Sequence, residues 1–306
     1  MSKILVTGGA GFIGSHVNKL LLQAGHSVVV LDNLSCGYKE SVDKRVKLVI
    51  GDINDPLKTK EALTGVDAVI HMAGLIVVPD SVKDPVGYCQ TNVIGTVNLL
   101  ECMRSLNVKK IIFSSSACVY GTPEKLPIKE DAPLHPDNPY GASKASVEAF
   151  CQTYNSAFGF DATILRYFNP YGPGEMHQPE THAIPNFIRA TLAKKPIPLY
   201  WKGEQVRDFI YIEDLAKAHV DVLKLSGYNI FNIGTEVGVK VKDAIDLIFK
   251  IVGYKVPIND LGERPGDVMA NYASSEKIKK EIGWSAKVNL EEGLKKTIEF
   301  YKTSKS

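Results

Sequence analysis

The sequence is poor in the residues that cross-link small secreted domains or hold metal ions. Its 306 residues include five cysteines, an odd number without a C-x-x-C pair, and its seven histidines show no H-x-x-x-H spacing. Scattered thiols suit a reducing compartment better than a disulfide framework or a zinc site. We therefore expect free cysteines, no metal site and a cytoplasmic protein. The cysteines are Cys36, Cys89, Cys102, Cys118 and Cys151.

An excess of one charge and long apolar runs are also missing. Lys and Arg total 36 against 34 Asp and Glu, and this net charge of +2 gives no argument for nucleic acid or an anionic membrane as a partner. No stretch approaches the roughly 20 apolar residues of a membrane span. The opening MSKILVTGGAG has too short an apolar run for a signal peptide and is typical of a first strand. We expect neither nucleic acid nor membrane as a partner.

Short β-branched runs alternate with amphipathic helical patterns through the first half of the chain. The alternation, with nearly continuous apolar strands, predicts a parallel sheet covered by helices on both faces, which is a doubly wound α/β fold. The predicted strands are KILVT, SVVVLD, VKLVIGD, DAVIHMA, VKKIIFSSS and DATILRY, and the helical patterns between them include GFIGSHVNKLLLQAG and NVIGTVNLLECMRSLN.

The residue composition changes after RYFNPYGPGE, where proline and polar residues become frequent. Strand and helix patterns resume at VRDFIYIEDLAKAHVDVLK and YNIFNIG, and the last seventy residues are mostly helical. This order predicts two interleaved domains rather than two in tandem. We expect a dinucleotide-binding domain of residues 1–167 and 207–233, and a second, smaller α/β substrate domain of residues 168–206 and 234–306.

A glycine-rich turn joins the first predicted strand to the first predicted helix. Gly8, Gly11 and Gly14 form a G-x-x-G-x-x-G pattern, and Asp32 ends the next strand. Glycines at this position let the backbone approach a pyrophosphate, which the helix N-terminus attracts. An acidic residue such as Asp32 accepts hydrogen bonds from the adenosine ribose and repels a 2′-phosphate, so NAD is favoured over NADP. Asp52 and Ile53 end the third strand, where they frame the adenine or form a simple turn.

The segment NPYGASK places a tyrosine four residues before a lysine at the start of a predicted helix. Pro139 suits the first helical turn, so Tyr140 and Lys144 lie one turn apart on one face. A lone pair of this kind is more often an ordinary surface pair than a catalytic one, and its meaning depends on the rest of the chain.

In their order and spacing, a series of motifs along almost the whole chain resembles the extended short-chain dehydrogenase/reductase family, and within it the UDP-glucose 4-epimerases. The resemblance implies NAD-dependent epimerisation at C4 of a UDP-hexose through a 4-keto intermediate, and a homodimer. The motifs are VTGGAGFIG, DNLSCG, GDI, HMAG, NVIGT, FSSSACVYG, PYGASK, LRYFNPYGP, VRDFIYIEDLA, FNIG and RPGD.

The resemblance makes Tyr140 the catalytic acid/base, with Lys144 holding the nicotinamide ribose and lowering the tyrosine pKa. A free phenol has a pKa of about 10, and a nearby ammonium and the positive nicotinamide ring both favour its charged form. Ser116 is expected to hydrogen-bond the substrate, and Asn92 to be a structural polar residue. The residues implied in cofactor binding are Gly8, Gly11, Phe12, Ile13, Gly14, Asp32, Asn33, Asp52, Ile53, Ala73, Tyr140, Lys144 and Tyr167.

The resemblance also implies a nucleotide-sugar site in the second half of the chain. Asn169 and two arginines are expected to contact the diphosphate, Tyr200 to stack on uracil, and Asn271 to limit the size of the sugar. Guanidinium groups suit a diphosphate because they donate two parallel hydrogen bonds. The residues implied in substrate binding are Ser116, Tyr140, Asn169, Tyr200, Arg207, Arg264, Asp267 and Asn271.

The chain departs from the resembling epimerases at a few positions. Ile76 stands where long-form enzymes carry a lysine, and Trp201 and Lys202 replace the small or acidic residues usual after the uracil stacker. Cys118 occupies a position that is commonly threonine or serine. Free cysteine is usually a small buried hydrophobe. Since GDP-mannose 3,5-epimerases have a catalytic cysteine in a similar setting, a GDP-sugar 3,5-epimerase stays open.

Two other functions are weighed against the epimerases. A dehydratase is disfavoured because its Asp-Glu pair would fall at Ala117 and Cys118, and neither is a carboxylate. A catalytically silent NAD-binding module is the alternative from a different class. Such proteins lose part of the catalytic set, whereas Ser116, Tyr140 and Lys144 are all present here.

Overall fold

The computed structural model describes residues 1–176, 182–263 and 268–303 of the chain. Each strand predicted in the first half is present, and three of them, β1, β2 and β6, have the predicted bounds. The strands are β1 (Lys3–Thr7), β2 (Ser27–Asp32), β3 (Lys47–Ile50), β4 (Ala68–His71), β5 (Lys110–Ser116), β6 (Asp161–Tyr167), β7 (Asn169–Tyr171), β8 (Ile197–Leu199), β9 (Val206–Arg207), β10 (Phe209–Tyr211), β11 (Tyr228–Ile233), β12 (Val239–Lys240), β13 (Ile258–Asp260) and β14 (Ala270–Asn271).

Helices follow most strands of the first half and recur near the C-terminus. A short π-type segment, Cys89–Ile94, precedes the helix predicted from NVIGT, so the regular helix starts three residues later than the pattern suggests. The helices are α1 (Phe12–Gln23), α2 (Pro56–Leu63), α3 (Val78–Lys83), α4 (Pro85–Tyr88), α5 (Gly95–Ser105), α6 (Pro139–Phe158), α7 (Ala183–Leu192), α8 (Ile212–Asp221), α9 (Val241–Val252), α10 (Glu276–Ile282) and α11 (Leu290–Thr303).

Seven strands form the main sheet in the order β11-β6-β5-β4-β1-β2-β3, and the pairs from β5 to β3 are all parallel. The chain runs outward from β1 through β2 to β3, then crosses to β4 and runs outward on the other side. The carboxyl ends of β1 and β4 therefore flank the point where the strand order reverses, which is where doubly wound sheets bind ligands. The predicted doubly wound fold is confirmed.

The first of two compact units consists of Met1–Gly121, Pro133–Arg166 and Ala216–Phe231. It contains most of the main sheet, and an apolar core fills the space between the sheet and the helices α2, α5 and α6. Burial of this apolar surface is the main force that holds the unit together. Core residues include Leu5, Val29, Val69, Leu99, Leu100, Met103, Ile111, Val147 and Ile164.

The second compact unit consists of Thr122–Ala132, Tyr167–Leu215 and Asn232–Ser306. Its strands form three small sheets, β10-β7, β12-β9-β14 and β13-β8. The buried Asp208 carboxylate joins parts of this unit because it accepts hydrogen bonds from the Thr235 hydroxyl at 2.6 Å and the Ala273 amide at 3.1 Å. Within the described part of the chain, no helix is both long and apolar enough to cross a membrane.

The longest helix, α6, has local signals at both ends. Asn138 caps its N-terminus, since the side-chain oxygen accepts the Gly141 amide at 2.9 Å, and Pro139 is the first helical residue. Gly159 ends the helix with a φ of 66°, a conformation that glycine adopts without steric cost. The helix therefore has a fixed start, and its first turn presents Tyr140.

Candidate active site

The turn between β1 and α1 brings backbone segments so close that only glycine fits. Gly8 has a φ of 71°, and a Cβ there would lie 2.8 Å from the Ala73 amide nitrogen. A Cβ on Gly14 would lie 2.4 Å from the Gly8 carbonyl oxygen. Phe12 and Ile13 are the first residues of α1, whose amides have no partner within the helix. The turn therefore offers a close-approach backbone surface and a helix N-terminus at the carboxyl end of β1.

Asp32 lies at the carboxyl end of β2 and is almost fully buried. Its two carboxylate oxygens accept hydrogen bonds from the Ala10 amide at 2.9 Å and the Leu34 amide at 2.8 Å. An ionised carboxylate has about four acceptor positions, so these two bonds orient Asp32 without exhausting it. The sequence prediction of an acceptor at this edge of the sheet is therefore compatible with the geometry.

Asn33, Asp52 and Ile53 lie beside this edge of the sheet. The Asn33 amide donates to the Asp52 carboxylate at 2.8 Å. Partial burial acts to raise the pKa of Asp52, but hydrogen bonds from Asn54 and Asn33 outweigh it and lower that pKa. The Ile53 side chain belongs to the apolar core. It packs against Gly95, since a Cβ added to Gly95 would lie 2.8 Å from Ile53 Cδ1. Asp52 is thus hydrogen-bonded within its turn and Ile53 packs in the core, and their place beside the adenine stays a prediction.

Ser116, Tyr140 and Lys144 come together at the carboxyl end of β5. Ser116 ends that strand, and its side chain is hydrogen-bonded to the Tyr140 phenol in the first turn of α6. Lys144, one turn later, donates to the Ser114 carbonyl oxygen at 2.8 Å, and its Nζ lies 5.9 Å from the centre of the Tyr140 ring. The three residues are therefore one cluster, not an isolated surface pair.

Burial dominates the electrostatics of this cluster. It raises the pKa of Tyr140, as does the nearby Cys118, while the Ser116 hydrogen bond acts to lower that pKa. Burial also lowers the pKa of Lys144 to about 8, against an opposing effect of Glu148. The expected lowering of the Tyr140 pKa is thus not seen with the protein groups alone, because burial, which disfavours the charged phenolate, is the largest effect. With the protein groups alone, Tyr140 is a protonated phenol at neutral pH.

Asn92 connects the loop after β4 to the start of α6. Its side-chain oxygen accepts the Leu75 amide at 2.8 Å, and its amide nitrogen donates to the Leu75 carbonyl at 3.0 Å. The same nitrogen donates to the Ser143 hydroxyl at 2.9 Å, which in turn donates to the Tyr140 carbonyl at 2.7 Å. These contacts agree with the predicted structural role of Asn92.

Sequence reasoning missed His71, which lies fully buried at the end of β4. The Thr96 hydroxyl donates to the Asn92 carbonyl at 2.6 Å, so His71 Nε2 must donate to Thr96 across 2.8 Å. His71 Nδ1 then accepts from Thr7, 2.6 Å away, whose oxygen receives the Ala73 amide at 3.2 Å. Burial, with a further contribution from Lys144, lowers the pKa of His71 to about 3. The only sequence signal was a polar residue inside the apolar run DAVIHMA.

The predicted substrate residues of the second unit lie on its short strands. Asn169 begins β7 and donates to the Asp208 carbonyl at 3.1 Å. Arg207 and Asn271 face each other in the pairing of β9 with β14. The Asn271 side-chain oxygen is buried and has no hydrogen-bond partner in the parts of the chain that the structure describes.

The other predicted substrate and cofactor residues occupy different settings. Tyr167 ends β6 and is 7% exposed. Tyr200 precedes a tight turn between β8 and β9. Arg264 and Asp267 lie outside the described residues. Among residues 1–176, 182–263 and 268–303, no group of three or more His, Cys, Asp or Glu side chains could hold a metal ion.

Comparisons with known proteins agree with this geometry. The model of the NAD dependent epimerase/dehydratase family matches residues 4–234. A UDP-glucose 4-epimerase of Corynebacterium glutamicum is 39% identical over 300 residues, which cover 92% of this chain and 90% of that protein.

Two solved structures are similar over nearly their whole length. The Thermus thermophilus UDP-glucose 4-epimerase in complex with NAD superposes with a TM-score of 0.94 at 34% identity, covering 99% of both chains. The Thermotoga maritima UDP-glucose 4-epimerase with UDP-glucose gives a TM-score of 0.94 at 36% identity, covering 98% of both chains. With its glycine turn, the Ser116–Tyr140–Lys144 cluster and these matches, the chain belongs to the NAD dependent epimerase/dehydratase family.

Proposed function

We propose that the protein is an NAD-dependent UDP-hexose 4-epimerase that interconverts UDP-glucose and UDP-galactose. The observation that carries the proposal is the buried cluster of Ser116, Tyr140 and Lys144 at the carboxyl end of β5. The similar proteins of Corynebacterium, Thermus and Thermotoga are UDP-glucose 4-epimerases, which supports the same reaction here. None of them supports a GDP-sugar 3,5-epimerase.

The first unit fits NAD as its cofactor. The backbone turn leaves no room for a Cβ at Gly8 or Gly14, and a Cβ on Gly11 would lie 3.3 Å from the Gly8 carbonyl oxygen. The turn therefore has the close approach that a pyrophosphate requires. Phe12 and Ile13 supply amides of the first turn of α1, and the remaining acceptor positions of Asp32 suit the adenosine ribose.

The other cofactor residues are proposed around this turn. Asn33 and Asp52 border the ribose and adenine, Ala73 lies against the glycine turn, and Tyr167 borders the nicotinamide. When bound, NAD would supply the hydride acceptor and donor for C4, and the 4-keto sugar would turn over in the site between the two transfers so that its other face is reduced.

Tyr140 is proposed to move the proton of the sugar 4-hydroxyl. The proton passes from O4 to the tyrosine oxygen as the hydroxyl becomes a ketone, and returns to O4 when the ketone is reduced. Ser116 hydrogen-bonds the same oxygen, while Lys144 holds the nicotinamide ribose. Because burial raises the Tyr140 pKa, positive charge near the phenol is needed to favour its basic form. Lys144 and the cationic nicotinamide ring supply that charge.

The second unit is proposed to hold the nucleotide sugar. Asn169 and Arg207 contact the diphosphate, Tyr200 stacks on uracil, and Asn271 limits the sugar pocket. Arg264 and Asp267 complete the proposed set as phosphate and ribose contacts. In this division of labour, the first compact unit binds NAD and the second, which contains Asn169, Tyr200 and Arg207, binds the UDP-sugar.

The protein is further proposed to be a cytoplasmic homodimer. Apolar side chains of α5 and α6 and their ends are exposed, among them Ile94 at 49%, Phe150 at 38% and Phe158 at 41%. Pairing these helices with those of a second copy would remove the apolar surface from water. All five cysteines are free thiols, which suits a reducing compartment.

The activity is tested by incubating the purified protein with UDP-galactose and following UDP-glucose by chromatography or NMR. Conversion that reaches the same equilibrium mixture from either sugar supports a 4-epimerase. No conversion of either UDP-sugar by folded protein loaded with NAD would contradict it, and would favour the silent module.

A further inference from the structure

Trp201 and Lys202 occupy the two central positions of a tight turn whose backbone conformation disfavours such residues. Their φ angles are 53° and 50°, and Gly203 follows with 73°. The Gly203 amide closes the turn by donating to the Tyr200 carbonyl at 2.9 Å. Turns with two left-handed central residues are dominated by glycine, asparagine and aspartate. A Trp-Lys pair therefore opposes the local backbone preference.

Contacts on both sides hold the turn in place. The Trp201 amide donates to the Gly262 carbonyl at 2.8 Å, and the Glu204 amide donates to the Trp201 carbonyl at 3.0 Å. The Glu204 carboxylate also pairs with Lys240 at 2.9 Å and with Lys242. The position of the Trp201 backbone is thus fixed by its surroundings.

The Trp201 indole has a buried hydrogen-bond donor that the chain does not use. Its Nε1 is buried and has no hydrogen-bond partner within residues 1–176, 182–263 and 268–303. The other tryptophan, Trp284, follows the usual rule, since its buried Nε1 donates to the Asp214 carbonyl at 3.2 Å. A buried hydrogen-bond donor without a partner destabilises the protein. Since this turn lies beside the proposed nucleotide site, an acceptor on the bound nucleotide would satisfy the Trp201 indole.

The position of the turn indicates which part of the ligand supplies the acceptor. Tyr200, the proposed stacking residue, immediately precedes Trp201, and β9 with Arg207, the proposed phosphate contact, follows. The indole is therefore adjacent in the chain to the residue on the nucleobase side. We propose that Trp201 determines nucleotide specificity by donating a hydrogen bond from Nε1 to a ring carbonyl oxygen of the pyrimidine base.

This inference rests on the proposed function and specifies how the base is selected. Stacking on Tyr200 alone does not distinguish one base from another, because every base has an aromatic face. A fixed N–H donor selects bases that present a carbonyl oxygen at the matching place, and uracil has two ring carbonyls. Trp201 would thus supply selectivity that the stacking residue cannot.

The test compares Trp201→Phe with Lys202→Gly in the NAD-loaded protein. Trp201→Phe keeps an aromatic ring and removes the donor, whereas Lys202→Gly changes the same turn and leaves the indole. Calorimetric titration with UDP and with UMP should show Trp201→Phe binding both about 3- to 10-fold more weakly, as expected for one neutral hydrogen bond. Lys202→Gly should bind both as the parent does.

The other outcomes separate the inference from the proposed function. Parent-like affinity of Trp201→Phe for UDP overturns the role of Trp201, while UDP-galactose turnover by the parent leaves the 4-epimerase intact. A loss of affinity for UDP that is absent for UMP would place the contact at the terminal phosphate, and would also overturn the role of Trp201 in base recognition. Failure of the parent to bind UDP would overturn the proposed function together with this inference.

A second measurement does not depend on the folding of Trp201→Phe. The chain has two tryptophans, so Trp284→Phe leaves Trp201 as the only indole fluorophore. Saturating UMP should change its emission with the dissociation constant found by calorimetry. Unchanged emission at saturating UMP would place the indole away from the base and contradict the proposal.

Discussion

The Tyr140 phenol is hydrogen-bonded to the Ser116 hydroxyl, so the first turn of α6 is joined to the carboxyl end of β5. Asn138, Pro139 and the bond from Ser143 to the Tyr140 carbonyl fix that turn. The phenol is therefore placed before any substrate binds, and its replacement should affect chemistry rather than folding.

Tyr140→Phe should reduce epimerisation by at least about 100-fold, the usual range for a positioned acid/base, because it removes only the titratable oxygen. Bound NAD and the melting temperature should stay close to those of the parent. Tyr154→Phe is the matched control on the same helix, since its hydroxyl bonds Glu101 at 2.6 Å, and it should retain activity. Turnover of Tyr140→Phe within tenfold of the parent would contradict the assignment.

His71 should make the protein less stable as the pH falls. Its pKa is about 3 in the folded protein against an ordinary value of 6.5, so between these values the unfolded chain binds one proton more. The contribution of His71 to the free energy of unfolding is fully present above pH 6.5 and decreases as the pH falls towards 3. At pH 4.5 the free energy of unfolding should therefore be lower by about 2–3 kcal/mol, because each pH unit below 6.5 removes about 1.4 kcal/mol.

His71→Asn provides the comparison because asparagine does not titrate. Urea unfolding at pH 7 and at pH 4.5 should show the variant less stable than the parent at pH 7, with the difference shrinking at pH 4.5. The same difference at both pH values would show that the pKa of His71 is not lowered in the folded protein.

The sequence predicted the local backbone features of the candidate site, namely a glycine turn, a strand end and a helix start. Gly8, Gly14 and Asp32 follow from a pattern tied to one turn and one strand end, and the 3.6-residue period places Tyr140 beside Lys144. The meeting of Ser116 with Tyr140 came from the family resemblance, because no local pattern states which strand end lies beside α6.

Features set by three-dimensional packing could not be predicted. A histidine inside an apolar run does not reveal that Thr7 and Thr96 satisfy both nitrogens of His71. Similarly, Trp201 and Lys202 adopt a turn that their own preferences oppose, because surrounding backbone contacts override those preferences. The burial of Tyr140, which raises its pKa, also could not be predicted from the spacing of Tyr140 and Lys144.

Assembly should depend on the exposed face of α6. Phe150→Lys places a charge on the apolar surface proposed to pair with a second copy, so it should convert a dimer into a monomer in light scattering at micromolar concentration. Leu57→Lys, at a more exposed apolar position on α2, should leave the dimer intact. A monomeric parent protein at that concentration would contradict the proposed assembly.

Asn271 should set the balance between hexose and N-acetylhexosamine substrates. Asparagine is intermediate in size, so UDP-glucose and UDP-galactose should be the main substrates, with weak activity on UDP-N-acetylglucosamine. Asn271→Tyr should narrow the pocket and remove that weak activity while retaining hexose turnover. If the ratio of the two activities is unchanged in the variant, Asn271 does not limit the sugar pocket.

The fate of the sugar hydrogens distinguishes a 4-epimerase from a 3,5-epimerase. A 4-epimerase moves hydride from C4 to NAD and back, so the carbon-bound hydrogen does not exchange with solvent. A 3,5-epimerase removes protons beside a 4-keto group with an acid/base such as the Cys118 thiol and returns them from exchangeable groups. In deuterium oxide, interconverted UDP-glucose and UDP-galactose should therefore carry no carbon-bound deuterium by NMR.

Cys118→Ser completes this test because serine keeps the size and polarity of the side chain but is far less acidic than a thiol. The Cys118 amide bonds the Ser116 hydroxyl at 3.2 Å, and the partly buried thiol lies close enough to influence the Tyr140 pKa. If the thiol only packs there, the variant should keep most of the epimerase activity. Deuterium at C3 or C5 of the sugar, lost together with activity in Cys118→Ser, would instead make the thiol catalytic and exclude a simple C4 hydride mechanism.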